Sequence, residues 1–312
     1  MNGVVTWSVA TLFAGVLATP ASQAKPLTQH WGQIYAVAFS PDGTRIASAS
    51  AKHLEVHATS TGKQLSRIGL RHGPRCIAFA PSGNTMVVDT EVIDVSSAQV
   101  VQTLDRAAHE GKPNAIAFSP DGKTVAVATQ THAVKLISFR DGQVLHQLQA
   151  RHRNLITAIA FSHDGQIVAT ASNGRLELWS ARWGRLLGEL GTDLKSPKAL
   201  AFSPTTSTLA AAGGGASVEL WNTTSQRRVR TGRTDGSLIG TLAFTSDGKT
   251  LVAGGTGAAI QRWSAATLAP HASIFRSGGS GQVTALAIAP NGSFAAVGDS
   301  TGGVRLLPIP VR

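Results

Sequence analysis

From residue 25 onward, large and small apolar side chains alternate in short runs, and each run ends on Phe or Ile followed by a turn sequence. The fullest form, Phe-Ser-Pro-Asp-Gly, stands at Phe39 to Gly43 and at Phe118 to Gly122. Variants occupy Phe79 to Gly83, Phe161 to Gly165, Phe202 to Pro204, Phe244 to Gly248 and Ile288 to Gly292. The seven copies are spaced 40, 39, 43, 41, 42 and 44 residues apart. Ala precedes the Phe or Ile in all seven, from Ala38 to Ala287. One position earlier stands Val37, Ile77, Ile116, Ile159, Leu200, Leu242 or Leu286, and before that a small residue. This alternation predicts a strand buried on both faces. Pro-Asp-Gly predicts a tight turn, because Pro presets φ and Gly supplies a positive one.

A second strand rich in Ala and Val follows each turn, as in Arg45 to Ser50 and Thr124 to Ala128. A third alternates apolar and polar positions, as in Leu176-Glu177-Leu178-Trp179, Val218-Glu219-Leu220-Trp221 and Ile260-Gln261-Arg262-Trp263. A short fourth leads into the next copy, as in Lys63 to Ile68. Four antiparallel strands per repeat of about 40 residues, without helical periodicity, predict an all-β chain: a seven-bladed β-propeller of four-stranded antiparallel blades. The last copy ends after its third strand, Val304 to Leu307, so its fourth is expected from the N-terminal strand Lys25 to Gln29, which closes the ring. Pro26 fits there, because an outermost strand tolerates a missing N–H.

The propeller is thus assigned residues 25–312, and residues 1–24 are set apart. Val4 to Ala18 is an apolar run of 15 residues, followed by Thr19, Pro20 and the small-x-small triplet Ser22-Gln23-Ala24. That pattern predicts a signal peptide cleaved after Ala24, and hence a periplasmic or secreted protein. No apolar stretch reaches the roughly 20 residues of a membrane span, so no integral membrane span is expected. A single cysteine, Cys76, excludes a disulfide framework and a cysteine-based zinc site.

The Phe-Ser-Pro-Asp-Gly element, third strands ending in Trp179-Ser180, Trp221-Asn222 and Trp263-Ser264, and His30, His109 and His152 nine residues before a Phe together resemble the WD-repeat propellers. The resemblance covers residues 25 to 312. No copy keeps Asp after the Trp, and His57, Ile137 and Leu307 replace the Trp elsewhere, in the manner of degenerate bacterial members. The resemblance implies a monomeric, non-enzymatic scaffold that binds a protein partner, with the family's His–Ser–Asp–Trp network incomplete.

His53-Leu54-Glu55-Val56-His57 would suggest a metal site on a helix, but a strand separates the two His by roughly 13 Å, so a solvated strand edge is expected. Cys76 reads as a buried, inert thiol. Asp89, Glu91 and Asp94 read as a solvated turn between strands two and three of the second blade, and the Gly-rich stretches as turns. The position four before each Phe or Ile should ring the channel mouth: Tyr35, Arg75, Asn114, Thr157, Lys198, Gly240 and Thr284. With neither carboxylate nor His in that ring, no catalytic, cofactor or metal residue is assigned.

Net charge is +11. Loops joining a fourth strand to the next first strand share one face and hold eleven Lys and Arg against four acidic residues; the opposite turns hold seven against five. An acidic protein partner is therefore expected at Tyr35, Arg75, Asn114, Arg151, Arg153, Lys198, Arg230 and Arg233. An anionic small molecule bound, or acted on, at the channel mouth is the alternative. The high pI would also suit nucleic acid, which export and the lack of interleaved surface aromatics oppose.

Overall fold

The computed structural model describes residues 25–70, 73–104, 113–148, 154–236, 238–255, 259–276 and 282–309. They form 28 strands in seven four-stranded antiparallel sheets, the blades of a β-propeller. The expected leader and its cleavage point lie outside the described residues, as do Arg151 and Arg153.

Blade one consists of Ala36–Phe39, Arg45–Ala49, His53–Ala58 and Gln64–Gly69. Blade five consists of Ser196–Phe202, Thr208–Gly214, Ser217–Asn222 and Arg227–Arg233. Blades two, three, four and six repeat the order within residues 77–103, 115–148, 158–190 and 239–276. Blade seven has Val283–Ile288, Phe294–Asp299 and Gly303–Pro308 in sequence, and its outer strand is Lys25–Gln29. Lys25 pairs with Leu306 and Gln29 with Gly303, so the N-terminal strand closes the ring. Pro26 sits on that outermost strand, where one side of the backbone has no neighbour to bond.

The second strand, rather than the first, is the one buried on both faces. Ile46, Ala47, Ser48 and Ala49 are fully covered, whereas Ala115–Phe118 is only half-buried along its length. The first strand borders the channel and leaves one edge open to it.

The apolar core lies between blades. One cluster joins Ala210, Val218 and Leu220 of blade five to Ile239, Leu251 and Trp263 of blade six. Another joins Leu176 and Leu178 of blade four to Leu209 and Trp221 of blade five. The interface of blades seven and one is built from Ile34, Val37, Ala285 and Val304, with Ile46, Ala296 and Leu306 beside them. Each blade thus completes the core of both neighbours, which makes ring closure a condition of full burial.

The repeated turn satisfies itself. Gly43 adopts φ +70°, the Ser40 hydroxyl donates to Asp42 at 2.5 Å, and the Thr44 amide donates to the same carboxylate at 3.0 Å. Ser119–Asp121, Ser162–Asp164 and Thr245–Asp247 repeat the arrangement. The hydrogen bond from Ser40, helped by Thr44, holds the Asp42 carboxyl down to about 2. Antiparallel connectivity places these turns, with those between strands three and four, on one face. The blade-to-blade loops and the turns between strands two and three lie on the other.

Candidate interaction face

The seven residues expected at the channel mouth all line one cavity of about 290 Å³. They come together because each inner strand enters from the same loop face in the same register. The amides of Tyr35, Asn114 and Thr157 donate to Ala49, Ala128 and Ala171 on the adjoining second strands. Around the ring, Arg75 Nη1 donates to Asn114 Oδ1 at 2.5 Å, and the Thr157 hydroxyl donates to the Pro197 carbonyl of the next blade at 2.6 Å. Lys198 and Arg75 are exposed. No acidic side chain among the described residues lines this cavity.

Asp89 overturns the expectation of a solvated turn. It is buried, and its Oδ1 accepts the amides of Arg75 at 2.8 Å and Cys76 at 3.3 Å, fixing the backbone that presents Arg75. Asp94 lies at the far end of its strand, in the turn before strand four, where it accepts from Ser96 and Ser97. The two acids are therefore on opposite faces. Cys76 is buried, and desolvation pushes its thiol well above the ordinary value.

The expectation of a solvated edge at His53 to His57 is overturned too, since Glu55 and His57 are buried between blades, as are Glu177, Glu219 and Gln261 of other third strands. Glu219 accepts from Thr192 Oγ1 at 2.7 Å, the Asp193 amide at 3.2 Å, Trp221 Nε1 at 3.1 Å and Arg228 Nη1 at 2.9 Å. It thereby ties the loop entering blade five. Gln261 ties the next loop, exchanging hydrogen bonds with the Asp235 amide at 3.0 Å and the Asp235 carboxylate at 2.8 Å. Glu55 does the same at the closure, accepting from Thr28 Oγ1 at 2.8 Å. His30 Nε2 lies 2.8 Å from Ser48 Oγ and 3.6 Å from Glu55, with His57 at 3.7 Å and Arg67 at 3.6 Å from the carboxylate. His53-Leu54-Glu55-Val56-His57 is thus an internal anchor, not a solvated edge. Among the described residues no group of His, Cys, Asp and Glu is disposed to hold a metal ion.

These anchors engage described acids of the loop face, although Asp193 and Asp235 stay exposed. Asp193 pairs with Arg228, Asp235 is bound to Gln261, and Asp299 accepts the amides of Thr301 and Gly303. Arg233 is exposed on this face. Arg230 is not there: strand four of blade five runs on to Arg233, so Arg230 stands mid-strand and its Nε donates to the Ala266 carbonyl, in a turn of the opposite face, at 2.8 Å.

The sequence reading missed Trp31. It follows His30 in the loop entering blade one and is 83% exposed, with Tyr35 43% exposed close by along the same loop. Its signal was present: it is a Trp outside the third-strand column, in the loop class that forms this face.

Seven closed blades around a side-chain-lined channel define a β-propeller. A family model for the WD domain, G-beta repeat, matches residues 22–54, and one for the anaphase-promoting complex subunit 4 WD40 domain matches residues 86–161. With the seven-blade architecture, these matches make the chain a WD-repeat β-propeller, a fold typical of protein-interaction scaffolds and generally non-catalytic. Comparison with the curated proteins finds no significant match. Part of the family network survives, as the His30–Ser48 contact in blade one and as Trp179 Nε1 donating to Thr170 Oγ1 at 3.1 Å in blade four.

Proposed function

We propose that the chain is an exported, monomeric, non-enzymatic scaffold that binds an acidic protein partner on its loop face. The observation that carries this reading is Trp31, an almost fully exposed Trp on the face that also bears Tyr35, Arg75 and Lys198. Trp, Tyr and Arg dominate the few residues that supply most binding energy at protein interfaces. Among the described residues of this face Asp193 pairs with Arg228 and Asp235 with Gln261, so part of its acidic charge is already engaged when an acidic surface approaches the cations. Export rests on the apolar run and Ser22-Gln23-Ala24 alone.

The test is capture of the partner from the periplasmic or secreted fraction, followed by kinetics of the purified pair. Trp31→Ala should weaken binding at least tenfold. Arg75→Glu with Lys198→Glu should slow association and flatten its salt dependence. Lys123→Glu with Lys249→Glu, on the opposite face, should leave binding unchanged. Equal losses from the two charge pairs would overturn the assignment of the face. The second reading, a small anion in the channel mouth, is favoured by Arg75 and Lys198 beside a cavity without carboxylates among the described residues. It predicts that citrate raises the melting temperature of the wild type but not of Arg75→Gln.

A further inference from the structure

On the face opposite the interaction loops, a cavity of about 470 Å³ opens at the closing seam between blades seven and one. Its apolar walls are Ala289, Phe294, Leu306 and Pro308, with Thr44, Thr59, Ser60 and Asn291 at the turns around them, and its single charged side chain is Lys25, whose Nζ donates to the Ser60 carbonyl at 3.1 Å. That size and an apolar lining with one placed cation suit a small ligand site.

The repeat shows that this lining is particular to blade seven. Where the turn has Ser or Thr in five blades and Ala80 in blade two, blade seven has Ala289; where four turns carry Asp, it has Asn291. Phe294 stands at the position held elsewhere by Arg45, Thr85, Thr124, Ile167, Thr208 and Thr250. Its cross-strand partner is Pro308, where the matching pairs are Thr124 with Ser138, Thr208 with Asn222 and Thr250 with Ser264. Four departures thus converge on one cavity: Ala289, Phe294 and Pro308 are apolar, and Asn291 puts a neutral amide where a carboxylate stands in four other turns. Phe294 remains 39% exposed at its edge. The corresponding cleft between blades five and six has a similar volume, about 510 Å³, but beside Leu220, Val229 and Phe244 it is lined by Asp247, Lys249, Arg230 and several hydroxyls. Asp42, next to the seam cavity, has its carboxylate turned to Ser40 and Thr44.

We propose that the seam cavity binds a small amphipathic anion, its apolar body against Phe294, Leu306 and Pro308 and its acidic head at Lys25. A ligand there touches the strand Lys25–Gln29, its partner Gly303–Pro308 and the turns of blade one together, so binding favours the closed ring.

The test is calorimetric titration of the full chain with octanoate, 1-octanol and octylammonium, with melting temperature followed in parallel. Octanoate should bind saturably and raise the melting temperature; octanol should bind about two- to fivefold more weakly, and octylammonium more weakly still. Lys25→Gln, made in the chain that begins at Met1 so that no terminal amine falls at position 25, should bring octanoate to the level of octanol. Phe294→Ser should weaken octanoate about tenfold, and Ser60→Trp, a change at an exposed rim position, should block it with the fold intact by circular dichroism. Absence of saturable octanoate binding, equal binding of octanoate and octylammonium, or binding unaffected by both Phe294→Ser and Ser60→Trp would overturn the proposal. Self-association abolished by Phe294→Ser, without octanoate binding, would assign the cavity to a second copy and overturn it equally.

Discussion

Glu55 and Glu219 occupy the same position on the third strands of blades one and five, and each accepts a hydrogen bond from a Thr 27 residues earlier in the chain, Thr28 and Thr192. Beyond that shared bond their surroundings differ. Glu219 is closed in by a loop amide, an indole N–H and an Arg, all hydrogen-bonded. Glu55 has His30, His57 and Arg67 at 3.6–3.7 Å, outside hydrogen-bonding distance. One anchor is balanced by donors that keep their protons at any ordinary pH, the other partly by imidazoles, whose protonation depends on pH. A repeat can therefore reuse a carboxylate and still give one joint of the ring, the closure, a different response to conditions.

The largest effect expected at the closure is that of removing it. Deleting residues 25–29 exposes the edge of Gly303–Pro308 and uncovers the core between blades seven and one. Differential scanning calorimetry should show a melting temperature lower by on the order of 10 °C or more, with aggregation; unchanged melting would mean that the strand is dispensable. Next come the anchors. Glu219→Ala takes the acceptor from the buried Trp221 N–H, from Thr192 and from the Asp193 amide, while the exposed Arg228 keeps Asp193, at a cost of about 3–4 kcal/mol. Glu55→Ala removes one short hydrogen bond and relieves a carboxylate with few donors, at a cost of about 1–3 kcal/mol. Urea denaturation of both variants measures the difference, and equal losses would break the comparison.

The smallest effect is the most discriminating. Burial lowers the His30 pKa from 6.5 against the opposing pull of Glu55, with His57, Arg67 and His53 lowering it further. Burial lowers that of His57 likewise, again opposed by Glu55. As pH falls below about 6.5, the unfolded chain takes up protons that the folded imidazoles refuse. Their contribution to stability is thus complete above that pH and is lost as pH falls toward the lowered folded values. Stability measured from pH 7.5 to 5 should fall less steeply in a His30→Gln, His57→Gln double variant than in the wild type. Glu219→Ala should keep the wild-type slope. A double variant with an unchanged slope would remove the histidines from the account.

Fold and closure were legible in the sequence because the repeat records them seven times over. The column of seven alanines, the turn sequence and a last copy short of one strand each have a local cause that needs no tertiary information. The ring of Tyr35, Arg75, Asn114 and Lys198 followed from the same register. What the repeat does not encode was harder to read. Glu55 and Glu219 look like solvent-facing positions of an alternating strand, and only the neighbouring blade buries them. Arg230 was placed on the wrong face because an outer strand, with a partner on one side only, carries little patterning to mark its end. Trp31 lies in a loop, outside every column.

The pairing of Lys25–Gln29 with Gly303–Pro308 also orders events in time. The strand synthesised first after residue 24 has no partner until nearly the whole chain exists, and it must then be captured across the largest sequence separation in the fold. Contacts of such separation form slowly, since the loop must be closed before the contact stabilises it. Six blades can be complete while the seventh waits. During that interval the unpaired edge and the open interface of blades seven and one form the surface on which a second unfinished chain would misassemble.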